Sequence, residues 1–216
     1  MFRIISILSV VIVLAGLYYL GRRQEQAANV SLGAIFRDAV DFKGLQWQGW
    51  RSLDTGSLLD LLRAASFIGI VLSSAVLALT GFFQPWFLNS HISGFMLMLH
   101  SLAAPVFIVA ITIYALLMAH RSQIRWKELI RFRQANGQTE PGDTGPGWYG
   151  ILRRTCFWLL LILAIPVILS VTLTMYSVLG TPGQMWFLGL HRYSSLLFVL
   201  IFLVFLMASR FEEELE

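Results

Sequence analysis

The stretch that decides the fold is residues 92–119, ISGFMLMLHSLAAPVFIVAITIYALLMA, which contains no acidic residue, lysine or arginine. A helix needs about 20 predominantly apolar residues to cross the hydrocarbon core of a bilayer, and this run is long enough. Inside it lies His100, whose ionisable and ligating side chain is costly to place in hydrocarbon. The run therefore predicts a transmembrane helix with a functional residue inside it.

Four other apolar runs flank this one, at 4–20, 64–83, 156–176 and 185–207. Hydrophobic residues make up 57% of the chain and charged residues 13%, which lies outside the usual composition of soluble proteins. The sequence thus predicts an all-α integral membrane protein with five spans. Because the first run ends in Leu-Tyr-Tyr-Leu-Gly-Arg-Arg rather than in a small-residue cleavage site, we expect a retained span and not a removed signal peptide.

The runs divide the chain into an N-terminal transmembrane helix (1–20), a polar segment (21–58), a four-helix membrane domain (59–211) and an acidic tail (212–216). The polar segment mixes apolar and charged residues. This pattern fits an amphipathic helix on the cytoplasmic surface or a loosely packed linker. Ser57-Leu-Leu-Asp60 resembles a capping box at the start of the second helix, and 134–150, rich in glycine and proline, predicts a loop.

Charge orients the five spans. With five crossings, one side of the membrane holds all 12 acidic residues and all basic residues except Arg3 and Arg192. The connection 120–155 is rich in arginine and lysine, whereas 84–91 and 177–184 contain no charged residue. The positive-inside rule places the connection and the C-terminal tail in the cytoplasm and the N-terminus outside. The net charge of +4 reflects this topology and not nucleic-acid binding.

Several chemistries are excluded by the residues present. Cys156 is the single cysteine, so the chain has no internal disulfide, no attachment site for c-type haem and no cysteine-bound iron–sulfur cluster. Glycine-rich phosphate loops and zinc-protease motifs are missing too. The spans show no clear inverted repeat, which disfavours a transporter. Any redox group must therefore be held non-covalently, and histidine is the obvious ligand.

Two of the four histidines are suited to act together. His100 lies roughly 12 Å, and His191 roughly 9 Å, below the predicted outer starts of their helices. His91 precedes His100 by two and a half turns, points the other way and reads as an outer-surface residue. His120 lies about 30 Å from His100, where an interfacial position beside Arg121 is expected. We therefore expect His100 and His191 to be able to clamp one flat cofactor.

Small residues follow each of these histidines on the same helix face, one turn along: Ala103, Ala104, Ser194 and Ser195. They leave room for a porphyrin edge, and Arg192 is placed to pair with a haem propionate. Zinc would need more ligands than this depth offers. The alternative is that the histidines hydrogen-bond between helices, where small residues are also favoured. Geometry alone leaves both interpretations open.

From about Leu59 to Phe211 the chain resembles the membrane b-type cytochrome subunits of formate dehydrogenases and nickel–iron hydrogenases. The resemblance is carried by order and spacing across this range rather than by one motif. It includes Leu79-Thr80-Gly81-Phe82-Phe83, Met98-Leu99-His100, Trp148-Tyr149 ahead of Phe157-Trp158, and His191 early in the last helix.

The resemblance implies a four-helix cytochrome b bundle to which this chain adds an N-terminal transmembrane helix. Such bundles usually hold two bis-histidine haems b, and the outer pair of ligands matches His100 and His191. The positions of the inner pair hold Phe67 and Phe205. Because both inner ligands are replaced, we expect one haem b, near the periplasmic face. The polar residues of the family's inner quinone site are also missing, since Gly150-Ile-Leu-Arg-Arg154 stands there.

The expected function is that of a haem b electron-transfer subunit in a respiratory oxidoreductase complex of a bacterial inner membrane. An iron–sulfur or multihaem c-type cytochrome subunit on the periplasmic side is the expected partner. Electrons would pass between it and the quinone pool or another membrane subunit, with no bond chemistry in this chain. The competing hypothesis is a cofactor-free membrane anchor or assembly subunit derived from a cytochrome b.

Overall fold

The computed structural model describes residues 2–28, 58–88, 90, 92–123, 148–174 and 179–215, with side chains left undescribed at 21–28, 148–149 and 210–215. The described residues form five long helices: α1 (Phe2–Ala28), α2 (Leu58–Phe83), α3 (Gly94–Met118), α4 (Trp148–Thr174) and α5 (Gly180–Leu215). All five are long and apolar enough to cross a membrane. The predicted all-α membrane fold, with one helix ahead of four core helices, is confirmed.

The helix ends differ from the predicted spans. α4 begins at Trp148 and not at 156, and α5 extends from Gly180 to Leu215 rather than over 185–207. Backbone hydrogen bonding continues through polar residues beyond the bilayer, so apolar runs mark only the membrane part of a helix. The prediction of a loop at 134–150 was wrong for its last three residues, because Trp148–Gly150 are helical. The rest of that stretch, 134–147, lies outside the described residues.

The polar segment predicted at 21–58 is described only at its ends. α1 continues through Ala28, so the helix passes the predicted boundary at residue 20 by two turns. Residues 29–57, including the proposed cap Ser57, lie outside the described part. α2 is described from Leu58, so the capping box stays a prediction, and Asp60 in the first turn of the helix forms an ion pair with Arg63.

The chain divides into two compact units, residues 1–117 and 118–216. In the first unit α2 and α3 run antiparallel in close contact. A Cβ atom added to Gly69 would lie 3.1 Å from the Cβ of Ala110, so glycine permits the approach of the two backbones. Nearby, the Phe67 ring packs at a tilt on Tyr114 with a centroid separation of 5.7 Å. Small residues that let backbones approach are favoured at membrane helix interfaces.

The start of α1 is attached to the far end of α2. A five-residue π-helical turn, Gln84–Leu88, follows α2, and its Trp86 Nε1–H donates to Ser6 Oγ over 2.8 Å. Ser6 is fully buried, and the rings of Phe2 and Phe82 stack with centroids 6.3 Å apart. These contacts place the N-terminus at the same end as residues 84–88. The predicted topology likewise has both on one side of the membrane.

In the second unit α4 and α5 pack along each other as an antiparallel pair. The α5 rings of Phe198, Phe202 and Phe205 stack in sequence, with centroid separations of 6.1 and 6.4 Å. All three side chains are buried. Near the start of α4, Trp158 Nε1–H donates to the carbonyl oxygen of Ser122 over 2.8 Å. This bond attaches the turn after α3 to α4.

Candidate functional site

His100 lies on α3, six residues after Gly94, which is about 9 Å along the helix. Gly94 has φ +57°, a left-handed conformation that glycine adopts without steric cost, and it begins the helix. The half-buried imidazole reaches across to α2, where its Nδ1 lies 2.9 Å from Oγ1 of the buried Thr80. The antiparallel packing of α2 on α3 therefore positions the histidine.

The protonation of the His100 ring follows from the other contact of Thr80. Thr80 Oγ1 lies 2.7 Å from the carbonyl oxygen of Val76, one turn earlier in α2. A carbonyl oxygen only accepts, so the single hydroxyl proton is donated to it and the hydroxyl oxygen accepts from His100. We therefore assign the proton of the neutral imidazole to Nδ1. In this tautomer Nε2 carries the lone pair that a metal ligand needs.

Gly81 adjoins the same ring. A Cβ atom on Gly81 would lie 3.3 Å from Cε1 of His100, closer than side chains ordinarily pack. Thr80 and Gly81 thus fix the imidazole together, one by a hydrogen bond and the other by leaving room for the ring.

His191 on α5 is held in the same way by α4. Its Nδ1 lies 3.1 Å from the carbonyl oxygen of Val167 and 3.3 Å from Oγ of the fully buried Ser170. Ser170 donates its own proton to the Val167 carbonyl over 3.0 Å. Because the carbonyl oxygen only accepts, Nδ1 of His191 must be protonated, and Nε2 again carries the lone pair.

Both candidate ligands therefore have the chemistry that haem iron requires. Histidine ligands to metals typically donate the N–H of the other ring nitrogen to a carbonyl or another oxygen, which fixes the tautomer and the ring orientation. His100 does so within the first unit and His191 within the second. The donor chemistry of both side chains fits axial ligation of a haem b.

The predicted small residues are partly buried. Ala103 and Ser194 are buried, and Ala104 and Ser195 are half-buried. Ser194 Oγ donates to the Leu190 carbonyl over 2.7 Å, so its hydroxyl is bonded to its own helix. Arg192 is half-buried and lies about 100° around α5 from His191. The proposed contacts of these five residues with a haem stay predictions.

Phe67 and Phe205, which stand at the positions expected for the inner ligands, are both buried. Phe67 packs on Tyr114 within the first unit, and Phe205 stacks on Phe202 within the second. Each ring is thus part of the hydrophobic packing of its own unit.

The other histidines are not brought into such an arrangement. His91 lies outside the described residues. His120 is exposed beyond the end of α3, and its Nδ1 lies 3.2 Å from Nε2 of Gln123, which agrees with the surface position expected for it. Within the described ranges no cluster of three or more His, Cys, Asp or Glu side chains forms a possible metal-ion site.

Sequence reasoning missed the residues that hold the two imidazoles. Thr80 and Gly81 stand in the Leu79–Phe83 stretch that carries part of the family resemblance, so a signal for them was present. Ser170 was one of many hydroxyl residues in apolar runs. The Val167 acceptor is a backbone atom, which leaves no mark in the sequence.

Comparison with known proteins gives one family. The model described as prokaryotic cytochrome b561 matches residues 68–215, about two thirds of the chain. Searches among curated proteins and among solved structures found no match. The matched range begins inside α2 and includes α3, α4 and α5, and it contains both candidate histidines.

Proposed function

Because the chain belongs to the prokaryotic cytochrome b561 family, we propose that it is the haem b electron-transfer subunit of a larger respiratory oxidoreductase. The family itself points to a membrane protein that binds haem b and transfers electrons. The finer proposal concerns the ligands, the number of haems and the partners. A haem b bound here would supply reversible one-electron transfer, and the protein would supply ligation, burial and electrostatics.

The proposal rests on one observation: the hydrogen bonds of both imidazoles place the ring proton on Nδ1. His100 and His191 each have Nδ1 hydrogen-bonded to an oxygen on the neighbouring helix, at 2.9 and 3.1 Å respectively. Histidines that only packed between helices would be equally satisfied with either nitrogen as the donor. Here both rings have the lone pair on Nε2, as bis-histidine ligation requires. We propose that the two residues are the axial ligands of one haem.

The proposed count of one haem rests on the two inner positions. Phe67 and Phe205 lack a ligating atom, and both rings are buried among aromatic neighbours. Buried aromatic side chains fill a large volume and exclude water. The chain's own residues thus favour a packed interior at the inner positions and a single haem at the outer one.

The partners and the orientation belong to the proposal as well. We place the outer end of the helices in the periplasm of a bacterial inner membrane, with the arginine-rich connection 120–155 and the C-terminus in the cytoplasm. An iron–sulfur or multihaem c-type subunit would exchange electrons with the haem, and a quinone or another membrane subunit would be the second redox partner. A reporter active only in the cytoplasm, fused after Glu216, checks this orientation.

The test of the ligands is the dithionite-reduced spectrum of the purified chain. We expect a b-type α band that is lost or strongly diminished in His100→Ala and in His191→Ala. His120→Ala is the matched control, because His120 is exposed beyond the helix end and should leave the band unchanged. A featureless wild-type spectrum would favour the cofactor-free membrane anchor. A band unaffected by either substitution would refute the assigned ligands.

A further inference from the structure

We propose that Thr80 is a positioning residue that sets the electron-donating strength of His100 and thereby the reduction potential of the haem. This inference rests on the proposed function, since it assumes that His100 is an axial ligand. It goes beyond that function by assigning a tuning role to a side chain that touches neither iron nor substrate.

The hydrogen bonds of Thr80 make it an acceptor toward the ligand. Its Oγ1 lies within 2.7 Å of the Val76 carbonyl and 3.3 Å of the Leu77 carbonyl, and either of these takes the single hydroxyl proton. The bond to His100 Nδ1, at 2.9 Å, must then be donated by the imidazole. Thr80 is buried, so little bulk water is present to replace this bond.

The two ligands differ in what accepts their Nδ1 proton. For His191 the nearest acceptor is the backbone carbonyl of Val167, with Ser170 Oγ slightly further away. Removing the Ser170 hydroxyl leaves that carbonyl in place. For His100 the described acceptor is a side-chain hydroxyl, which a single substitution removes. A substitution of Thr80 can therefore remove the acceptor at His100, whereas no side-chain substitution removes the Val167 carbonyl at His191.

The direction of the effect follows from ligand basicity. Donation from Nδ1–H to an oxygen shifts electron density toward Nε2 and makes the imidazole a stronger ligand. A stronger donor stabilises ferric iron more than ferrous iron, which lowers the reduction potential. Removing the acceptor should raise the potential. Hydrogen bonding around the ligands is one of the main means by which proteins set haem potentials.

The experiment is equilibrium redox titration of the purified, haem-loaded protein, followed by the α band. Thr80→Val keeps a branched side chain of similar shape and removes the acceptor, so the midpoint potential should rise. Thr80→Ser retains the hydroxyl and should restore a potential close to that of the wild type. Ser170→Ala is the matched control on the other ligand and should shift the potential less than Thr80→Val. The low-spin ferric signal in electron paramagnetic resonance should change in Thr80→Val and not in Thr80→Ser.

Thr80→Ala, which also lacks the acceptor, is the second variant if Thr80→Val fails to fold. Loss of haem from both, with retention in Thr80→Ser, supports the positioning role through rescue by the hydroxyl. An unchanged potential and ferric signal in Thr80→Val would overturn the inference, as would an equal shift in Ser170→Ala. A wild-type protein without haem would instead refute the proposed function, so the two failures are distinguishable.

Discussion

The imidazole of His100 is fixed by two consecutive residues of α2. Thr80 accepts its Nδ1 proton, and Gly81 leaves the space that its Cε1 edge occupies. One residue acts through a polar atom and the other through the lack of any side chain. We therefore expect the orientation of the His100 ring to be sensitive to a single added methyl group.

Gly81→Ala tests the spatial half of this arrangement. The new Cβ would lie 3.3 Å from Cε1 of His100, so the ring must give way by a few tenths of an ångström, and we expect this to disturb the proposed ligation. Substitutions around metal ligands typically weaken metal affinity by 10- to 100-fold, and we expect haem to bind about tenfold more weakly. The measurement is haem titration of the haem-free protein, followed by absorbance.

Gly189→Ala is the matched control, because nothing lies within 4 Å of a Cβ atom at that position on α5. It should bind haem as the wild type does. Equal haem affinity in Gly81→Ala and the wild type would contradict the assigned role of Gly81.

The sequence singles out His100 and His191 as candidate ligands, but it does not reveal which residues hold their rings. A histidine in an apolar run is conspicuous, since burial there demands a partner or a function. The partner atoms are inconspicuous, because Thr80 resembles other hydroxyl residues in the spans and the Val167 acceptor is a backbone carbonyl. Such contacts depend on which helices pack together and in what register.

At the scale of the elements, α2 and α3 form a close antiparallel pair whose register sets the site. Gly69 meets Ala110 near the middle of the pair, and Thr80 meets His100 nearer the end at which α3 begins. The distance between the two backbones at Gly69 and Ala110 therefore limits how closely Thr80 and His100 can approach. Small residues on α2 therefore help to place the histidine of α3.

Gly69→Ala should destabilise the packing of α2 on α3. Its Cβ would lie 3.1 Å from that of Ala110, and such overpacking typically costs about 1–3 kcal/mol. We expect a lower thermal unfolding midpoint in detergent. The double variant Gly69→Ala, Ala110→Gly removes the clash from the other side and should recover most of the loss. Equal destabilisation in the single and double variants would contradict the contact.

The apolar runs predicted the helices but not their ends. A bilayer selects for hydrophobicity over its own thickness, and a helix continues wherever its backbone hydrogen bonds continue. α4 and α5 consequently begin eight and five residues before their predicted spans. The π-helical turn after α2 was not predicted, because its Gln84-Pro-Trp-Phe-Leu88 sequence has no distinctive pattern.

At the scale of the whole molecule, the chain is a membrane cytochrome of the prokaryotic b561 family, for which we propose a single haem site. The family match extends over α3 to α5 and most of α2. Helix α1 lies outside the match, and its Ser6 accepts a hydrogen bond from Trp86 in the turn that follows α2. The electron-transfer role follows from the family, whereas the single site is a proposal that rests on the two histidines and on the phenylalanines at the proposed inner positions.

The proposed number of haems is one. It is tested most directly by measuring the amount of haem b per polypeptide in the purified wild-type chain. The pyridine haemochrome assay combined with quantitative amino-acid analysis gives this ratio. We expect a value near one, because His100 and His191 are the one pair of ligands that we propose. A value near two would contradict the single-haem account, and a protein free of haem would contradict haem binding altogether.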